Sequence, residues 1–529
     1  MTSKIDNKNI FVPIVVFLVL LVAVFLNLGI YPLYLEEPRR ALIALEMLYN
    51  DNIWVPTEFG VYYYKKPPFF NWVIIAGYKL FNDYSEFAVR FFTVVSYLLM
   101  GIATFWAGKK YVSLTFGIYA ALLFFVCSDL LFYFTITSGE IDLFYSLITY
   151  LSFLAIFHFY KQSNFWLLFQ VSYFLAAIGV LTKGLPSIVF QGISIVTVFL
   201  YYRNFKGLFK LSHFAGIFTF IVIVGGYAMI YSQYNDPSLF IFSKDSIVSQ
   251  SMERTPFENG VLKVILHLLE FPLEVLKILA PGSLFLLFFI RPKARKSLLS
   301  NDYIRFCLVL IAANIWVYWI SPGTASRYLY MFFPLMITVV SYPLFSEAAD
   351  PRLKTVLKYV FLGLLIIFLI TSIALPFISR LEKIAYLPAI SVVGVLCFAG
   401  TIYWFIMWPK WQLMSVITAF IFMRILFDLI ILPIRATEEL GAQEKEIAKE
   451  IQAITQEEPI YIYKSEVAFR SAIFYLERDT QKVLQLDSTS TSNQFYLADL
   501  SLIEKDQSYE SFYQFTHKGI DFGLIKFNP

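Results

Sequence analysis

Long apolar runs alternate along the chain with short polar clusters, and this alternation predicts the architecture. The stretch Ile14–Leu26 is apolar at every position. Runs of this kind reach the roughly 18–20 residues that cross a bilayer as helix. They predict thirteen spans, near 10–30, 87–107, 111–128, 140–160, 165–182, 186–202, 211–231, 272–290, 304–320, 328–345, 356–377, 386–406 and 413–432. A transmembrane barrel would need short alternating segments instead. No small-residue cleavage site follows the run Ile10–Leu28, which predicts a retained first helix.

The polar segments fall into two kinds. One set is short and basic, and includes Lys109 with Lys110, Lys161, Arg203 with Lys206, Arg291 with Lys293, Arg352 with Lys354, and Lys410. Basic loops mark the cytoplasmic side, so the N-terminus is expected there. The alternate segments include three large ones, 31–86, 232–271 and the tail after Leu432, expected on the opposite side. The chain then divides into a membrane domain, 1–432, and a small soluble α/β domain, 433–529. In the latter, 439–458 reads as a charged amphipathic helix, and Pro459–Tyr463 and Gly519–Phe527 read as strands. It carries no nucleotide-binding glycine motif.

The first large segment has local structure of its own. Glu36 and Glu37 precede Pro38, which suits a first helical position because its missing N–H has no partner there. Acids before that turn meet the positive end of the helix dipole. Ala41, Leu42, Leu45 and Leu48 recur at helical spacing and predict a short amphipathic helix, 38–50, on the membrane surface. Pro67 and Pro68 predict an extended stretch after it.

Composition agrees with the pattern. The 529 residues are 58% hydrophobic and only 15% charged, where soluble domains run about 45–50% and about 25%. The fold class is therefore an all-α polytopic membrane protein with a small C-terminal α/β domain. A net charge of +4, spread over inter-helix clusters, suits topology and not nucleic acid. Cys127, Cys307 and Cys397 all lie in apolar runs and read as packing residues. His158, His213, His267 and His517 have no metal-ligand spacing.

Candidate chemistry gathers on one expected face. Lys65 and Lys66 stand between a tyrosine run and a double proline; they read as interfacial lysines or as point charges for a phosphate. Glu36 and Glu37 read as helix-capping acids or as acid–base groups near an anion. Glu140 and Asp142 open the fourth span, where acids are expensive, and again read as caps or functional groups. Lys183 lies in LTKGLPS, where Gly184 and Pro186 predict a tight turn. Tyr328, beside Arg327, reads as an aromatic-belt residue or as part of the same site. Arg424 and Asp428, four apart within the last span, read as a paired structural charge.

The segments LEEPRRALIALEM, NIWVPTEFGVYYYKKPPFFNW and FAVRF resemble the first outer loop of GT-C-fold glycosyltransferases that use lipid-linked sugars. The nearest likeness is to the bacterial branch holding the lipid A aminoarabinose transferase and relatives of protein O-mannosyltransferases. The shared pattern is an acidic pair followed by arginine, Trp54 close to Pro56, then Y-x-x-K-P-P; LTKGLPS and the Arg327-Tyr328 pair also match. The resemblance implies a sugar donor on polyprenyl phosphate, a lipid, glycan or protein acceptor outside the cytoplasm, and inversion at the anomeric carbon. It implies that Lys66, with Tyr63, Lys183 and Tyr328, binds the donor phosphate, and that Glu36, Asp142 or Glu37 carries the acid–base role. Glu36 stands where the family usually has aspartate, and Lys65 replaces an acid. Arg254, in SMERTPF, is the candidate for a further basic ligand from 232–271. No cofactor is required; some relatives hold a divalent metal near the acid, and that use is left open here.

A transporter or flippase of a lipid-linked intermediate, and a glycan polymerase or ligase of the same fold, are the competing readings. A transporter predicts midplane acids, broken helices and paired repeats; the charges here cluster at one face. The expected location is the inner (plasma) membrane, with the C-terminal domain outside the cytoplasm.

Overall fold

Apolar runs become helices packed lengthwise, and the polar segment between the first two is structured by what covers it. The computed structural model describes residues 1–529 apart from 3, 7–8, 134–135, 235–260, 457, 465–468, 505 and 529. In chain order the helices are α1 (Phe11–Phe25), α2 (Glu37–Tyr49), α3 (Phe69–Phe81), α4 (Glu86–Tyr111), α5 (Leu114–Phe125), α6 (Ser128–Phe132), α7 (Ile141–Lys161), α8 (Phe165–Lys183), α9 (Pro186–Tyr201) and α10 (Leu211–Tyr234). Further long helices follow, ending with Gln412–Glu438.

Among the described residues, nine helices are long and apolar enough to cross a bilayer, and each overlies a predicted span. The chain is thus a multi-pass membrane protein. Three of the other four predicted spans correspond to the shorter apolar helices α1, α5 and α9. The fourth, 272–290, is corrected. The chain there bends by 115° between Leu262–Ile278 and Gly282–Ile290, and Pro281 in the break cannot donate a helical hydrogen bond. Helix already begins at Val261, inside the segment read as a loop to 271.

Within Gln412–Glu438, Arg424 and Asp428 form the expected pair. Arg424 Nε donates to Asp428 Oδ2 at 2.9 Å, and both side chains are buried. A buried charge pair of this geometry is strongly destabilising to break from one side.

The C-terminal domain is a five-stranded sheet in the order β4-β3-β5-β7-β6. Its strands are β3 (Ile460–Tyr463), β4 (Gln485–Asp487), β5 (Phe495–Asp499), β6 (Tyr509–His517) and β7 (Ile520–Phe527). β3 pairs parallel with β4 and β5, and β7 pairs antiparallel with β5 and β6. The helix Arg470–Thr480 is the crossover that a parallel β3–β4 pair requires. It was not visible in the sequence pattern; Leu440–Thr455, β3 and β7 were.

This domain sits on the first polar segment, and that corrects the reading of α2 as a membrane-surface helix. Ala41, Leu42, Ile43, Ala44 and Leu45 are all fully buried, in one cluster with Ala472, Ile473 and Tyr475 of the domain and Phe70 and Ile74 of α3. Polar contacts fix the docking. Leu33 N–H donates to Tyr475 Oη at 3.0 Å, Ser471 Oγ donates to the Leu33 carbonyl at 3.0 Å, and Tyr475 Oη donates to Glu86 at 2.8 Å.

Candidate active site

The site begins at the entry to α2. Leu35 has φ of 59°, a left-handed conformation uncommon for a branched side chain, and Glu36 and Glu37 follow it one helical step apart, so they point to different sides. Glu37 turns inward and is 1% exposed. Arg90 Nε and Nη2 donate to its two oxygens at 2.7 and 3.0 Å, and Gly139 N–H donates to Oε1 at 2.7 Å. Arg90 also donates to the carbonyls of Leu28, Tyr31 and Pro32. Glu37 therefore joins α2, α4 and the turn that carries Glu140 and Asp142.

Glu36 turns outward and keeps half its side-chain surface exposed. Arg39 Nη1 donates to its Oε2 at 2.6 Å, and Arg40 Nη2 lies 4.0 Å from the same oxygen. Arg40 Nη2 also donates to Tyr63 Oη at 2.7 Å, so the expected ligand Tyr63 is held by a guanidinium.

Tyr63 follows a two-stranded hairpin, β1 (Thr57–Glu58) and β2 (Val61–Tyr62). Its turn residues, Phe59 and Gly60, both have positive φ, 59° and 72°, as a type I′ turn demands. Phenylalanine is a costly choice there, and the surroundings hold it. The Phe59 and Gly60 N–H groups donate to the buried Glu46 carboxylate at 2.6 and 3.1 Å, and the Phe59 carbonyl accepts from Leu486 N–H of β4 at 3.0 Å.

The second half of the site joins three elements. Gly184, with φ of 96°, ends α8 in a conformation that glycine adopts without strain, and Pro186 starts α9. The turn leaves Lys183 6% exposed, with its ammonium donating to Asp142 Oδ1 at the start of α7. The same ammonium lies 4.2 Å from the Tyr328 ring centroid and 5.0 Å from that of Tyr145. Arg327 bridges Glu140 Oε2 at 3.1 Å and Asp142 Oδ2 at 3.4 Å. Burial pushes the Glu140 carboxyl up to about 7, Arg327 opposing and Asp142, Glu37 and Glu36 adding to the rise.

Lys66 is half-buried and Lys65 exposed. The helix after the double proline packs its first residues on α7, with the Phe69 and Phe70 rings 5.9 and 6.0 Å from Phe144. The Lys66 turn therefore adjoins the helix end that bears Asp142. Trp54 is tied to α10 through its carbonyl, which accepts from Tyr227 Oη at 3.0 Å. Arg254 lies outside the described residues.

Among the described residues, no three carboxylate, imidazole or thiol groups converge as a metal site. Glu36, Glu37, Glu140 and Asp142 each lie against an arginine or lysine. Arg90 and Glu58 are not singled out by residue type or spacing. Arg90 carried a usable signal, since an arginine four residues into an apolar helix is expensive unless paired.

A family model described as dolichyl-phosphate-mannose-protein mannosyltransferase matches residues 65–229. An uncharacterised protein of Aquifex aeolicus is 27% identical over 251 residues, 46% of this chain and 49% of that protein. Undecaprenyl phosphate-alpha-4-amino-4-deoxy-L-arabinose arabinosyl transferases of Edwardsiella ictaluri and Pseudomonas savastanoi are 34% and 35% identical, over 18% and 20% of this chain and 17% and 20% of theirs. The chain thus spans about half the length, or less, of the curated relatives it matches. The crystal structure of ArnT from Cupriavidus metallidurans bound to undecaprenyl phosphate matches over 97% of both chains, with TM-score 0.69 and 18% identity; the apo structure gives 0.67. The chain has the GT-C fold of that protein, and it resembles the aminoarabinose transferases in sequence.

Proposed function

We propose that this protein is an inverting glycosyltransferase that moves a sugar from a polyprenyl-phosphate donor to a lipid, glycan or protein acceptor on the non-cytoplasmic side of the plasma membrane. One observation carries the reading: Lys183, Tyr328, Arg327 and Asp142, from three elements distant in sequence, meet at one end of the bundle. The likeness to a transferase solved with undecaprenyl phosphate supports the donor class. The basic short loops support a cytoplasmic N-terminus.

The cations supply the chemistry of departure. When the glycosyl–phosphate bond breaks, negative charge grows on the lipid phosphate, and preorganised cations in a water-poor site stabilise it. Lys183 and Arg327 are held by Asp142 and Glu140 until a phosphate competes for them, with Lys66 approaching from the proline-ended turn. Tyr328 lies against the Lys183 ammonium in that cradle, and Tyr63, held by Arg40, is assigned to the donor with Lys66. Glu36, the half-exposed acid, accepts the proton of an incoming hydroxyl or orients it. Glu37 is assigned a joining role, because its oxygens are occupied by Arg90 and Gly139. A single displacement without a covalent intermediate inverts the anomeric centre.

Purified protein incubated with a panel of polyprenyl-phosphate sugars and candidate acceptors tests the reading. Acceptor-dependent release of polyprenyl phosphate is expected with at least one pair. Folded protein that releases none across the panel, yet moves a lipid-linked sugar between vesicle leaflets, overturns it in favour of a flippase.

A further inference from the structure

Glu58 ends β1 with its carboxylate buried. Its Oε1 accepts from two guanidinium groups, Arg39 Nε at 3.3 Å and Arg470 Nε at 2.5 Å. Arg39 Nη1 donates to Glu36 at 2.6 Å. Four charges of alternating sign therefore run from the first residue of the domain helix Arg470–Thr480, through the hairpin and α2, to the half-exposed acid. We propose that Arg470 is a positioning residue for Glu36: by meeting the demand of Glu58, it leaves Arg39 turned toward Glu36.

The argument rests on what a guanidinium can serve at once. Its planar fork offers donors on different edges, and Arg39 gives one edge to Glu58 and another to Glu36. A buried carboxylate that loses one cation draws harder on the cation that remains. Without Arg470, Glu58 pulls Arg39 toward itself, and Glu36 is released into the rotamers that its exposure allows. The C-terminal domain then holds a reacting group in place through three side chains. Only the kinetic consequence depends on the transferase reading.

The test is a double-variant cycle with Arg470→Met, Glu58→Gln and their combination, in full-length protein. Arg470→Met is expected to lower kcat about tenfold with donor KM within about twofold, since misplacing a reacting group costs rate more than binding. In the Glu58→Gln background no buried carboxylate competes for Arg39, so adding Arg470→Met is expected to change kcat by less than about threefold. Labelling of Glu36 by a water-soluble carbodiimide, read by mass spectrometry, follows the same positions without turnover. It is expected to rise severalfold in Arg470→Met and return toward wild type in the double variant. Should Arg470→Met not fold, Arg470→Lys keeps the charge without the fork and is expected to show a smaller rise. Unchanged Glu36 labelling, or an equal loss in both backgrounds, overturns the proposal. If wild type transfers no sugar, the functional reading fails, and the labelling still decides the relay.

Discussion

Glu37 Oε1 accepts from Arg90 Nε and from Gly139 N–H, each at 2.7 Å. One carboxylate thereby sets the register between the turn that presents Glu36 and the turn that presents Glu140 and Asp142. Two adjacent glutamates are divided by burial: Glu37 is enclosed, and Glu36 keeps half its side-chain surface exposed.

Replacing Glu37 by Gln should be a folding lesion and not a kinetic one. It leaves the buried Arg90 guanidinium uncompensated, which costs about 3–5 kcal/mol in comparable cases. Thermal unfolding in detergent should show a marked drop in Tm and low yield. A well-folded Glu37→Gln protein with lost turnover would return Glu37 to the chemistry.

Glu36→Gln keeps size and hydrogen bonding to Arg39 but removes the base. We expect kcat to fall about 10²–10⁴-fold while donor binding, measured with a non-transferable analogue, stays near wild type. A loss confined to donor affinity would reduce Glu36 to an orienting group.

Lys66→Ala should abolish turnover and leave the protein folded in the membrane, because Lys66 is half-buried in a turn and not in the core. Lys183→Met should also abolish turnover, with a lower Tm, because it strips a cation from the buried Asp142 carboxylate. Wild-type turnover by either variant contradicts the phosphate cradle.

Glu140 makes a pH prediction. Its carboxyl sits near 4.5 in the unfolded chain and at about 7 in the fold, chiefly through burial. Between those values the folded state binds the proton more tightly, so wild type loses stability as pH rises from about 4.5 to 7, by up to about 3 kcal/mol. Glu140→Gln is neutral throughout and escapes that loss. The Tm difference between variant and wild type should shift toward the variant from pH 5 to pH 8. A pH-independent difference would mean that Glu140 does not titrate in this window.

The membrane helices were legible because apolar length is a local property. So was the turn after Lys183, since Gly184 and Pro186 announce it. What covers α2 was not legible. Its partners, Ala472, Ile473 and Tyr475, lie more than 400 positions later in the chain, and an amphipathic pattern does not say whether lipid or protein meets the apolar side. Glu36 and Glu37 looked equivalent for a related reason: which of the two is enclosed depends on Arg90 and Gly139, which reach it from 53 and 102 positions later in the chain. The pairing of Lys183 with Asp142 could be suspected from expense within an apolar run, but its geometry came only with the helix packing.

The hydrogen bond from Leu486 to the Phe59 carbonyl also imposes an order in time. Ribosomes make the hairpin near residue 59 long before the strand that braces it, so in a growing chain the turn rests on its bonds to the Glu46 carboxylate until β4 emerges. The brace from the C-terminal domain is consequently the last part of this turn's surroundings to arrive, and a chain that stops before residue 486 lacks it.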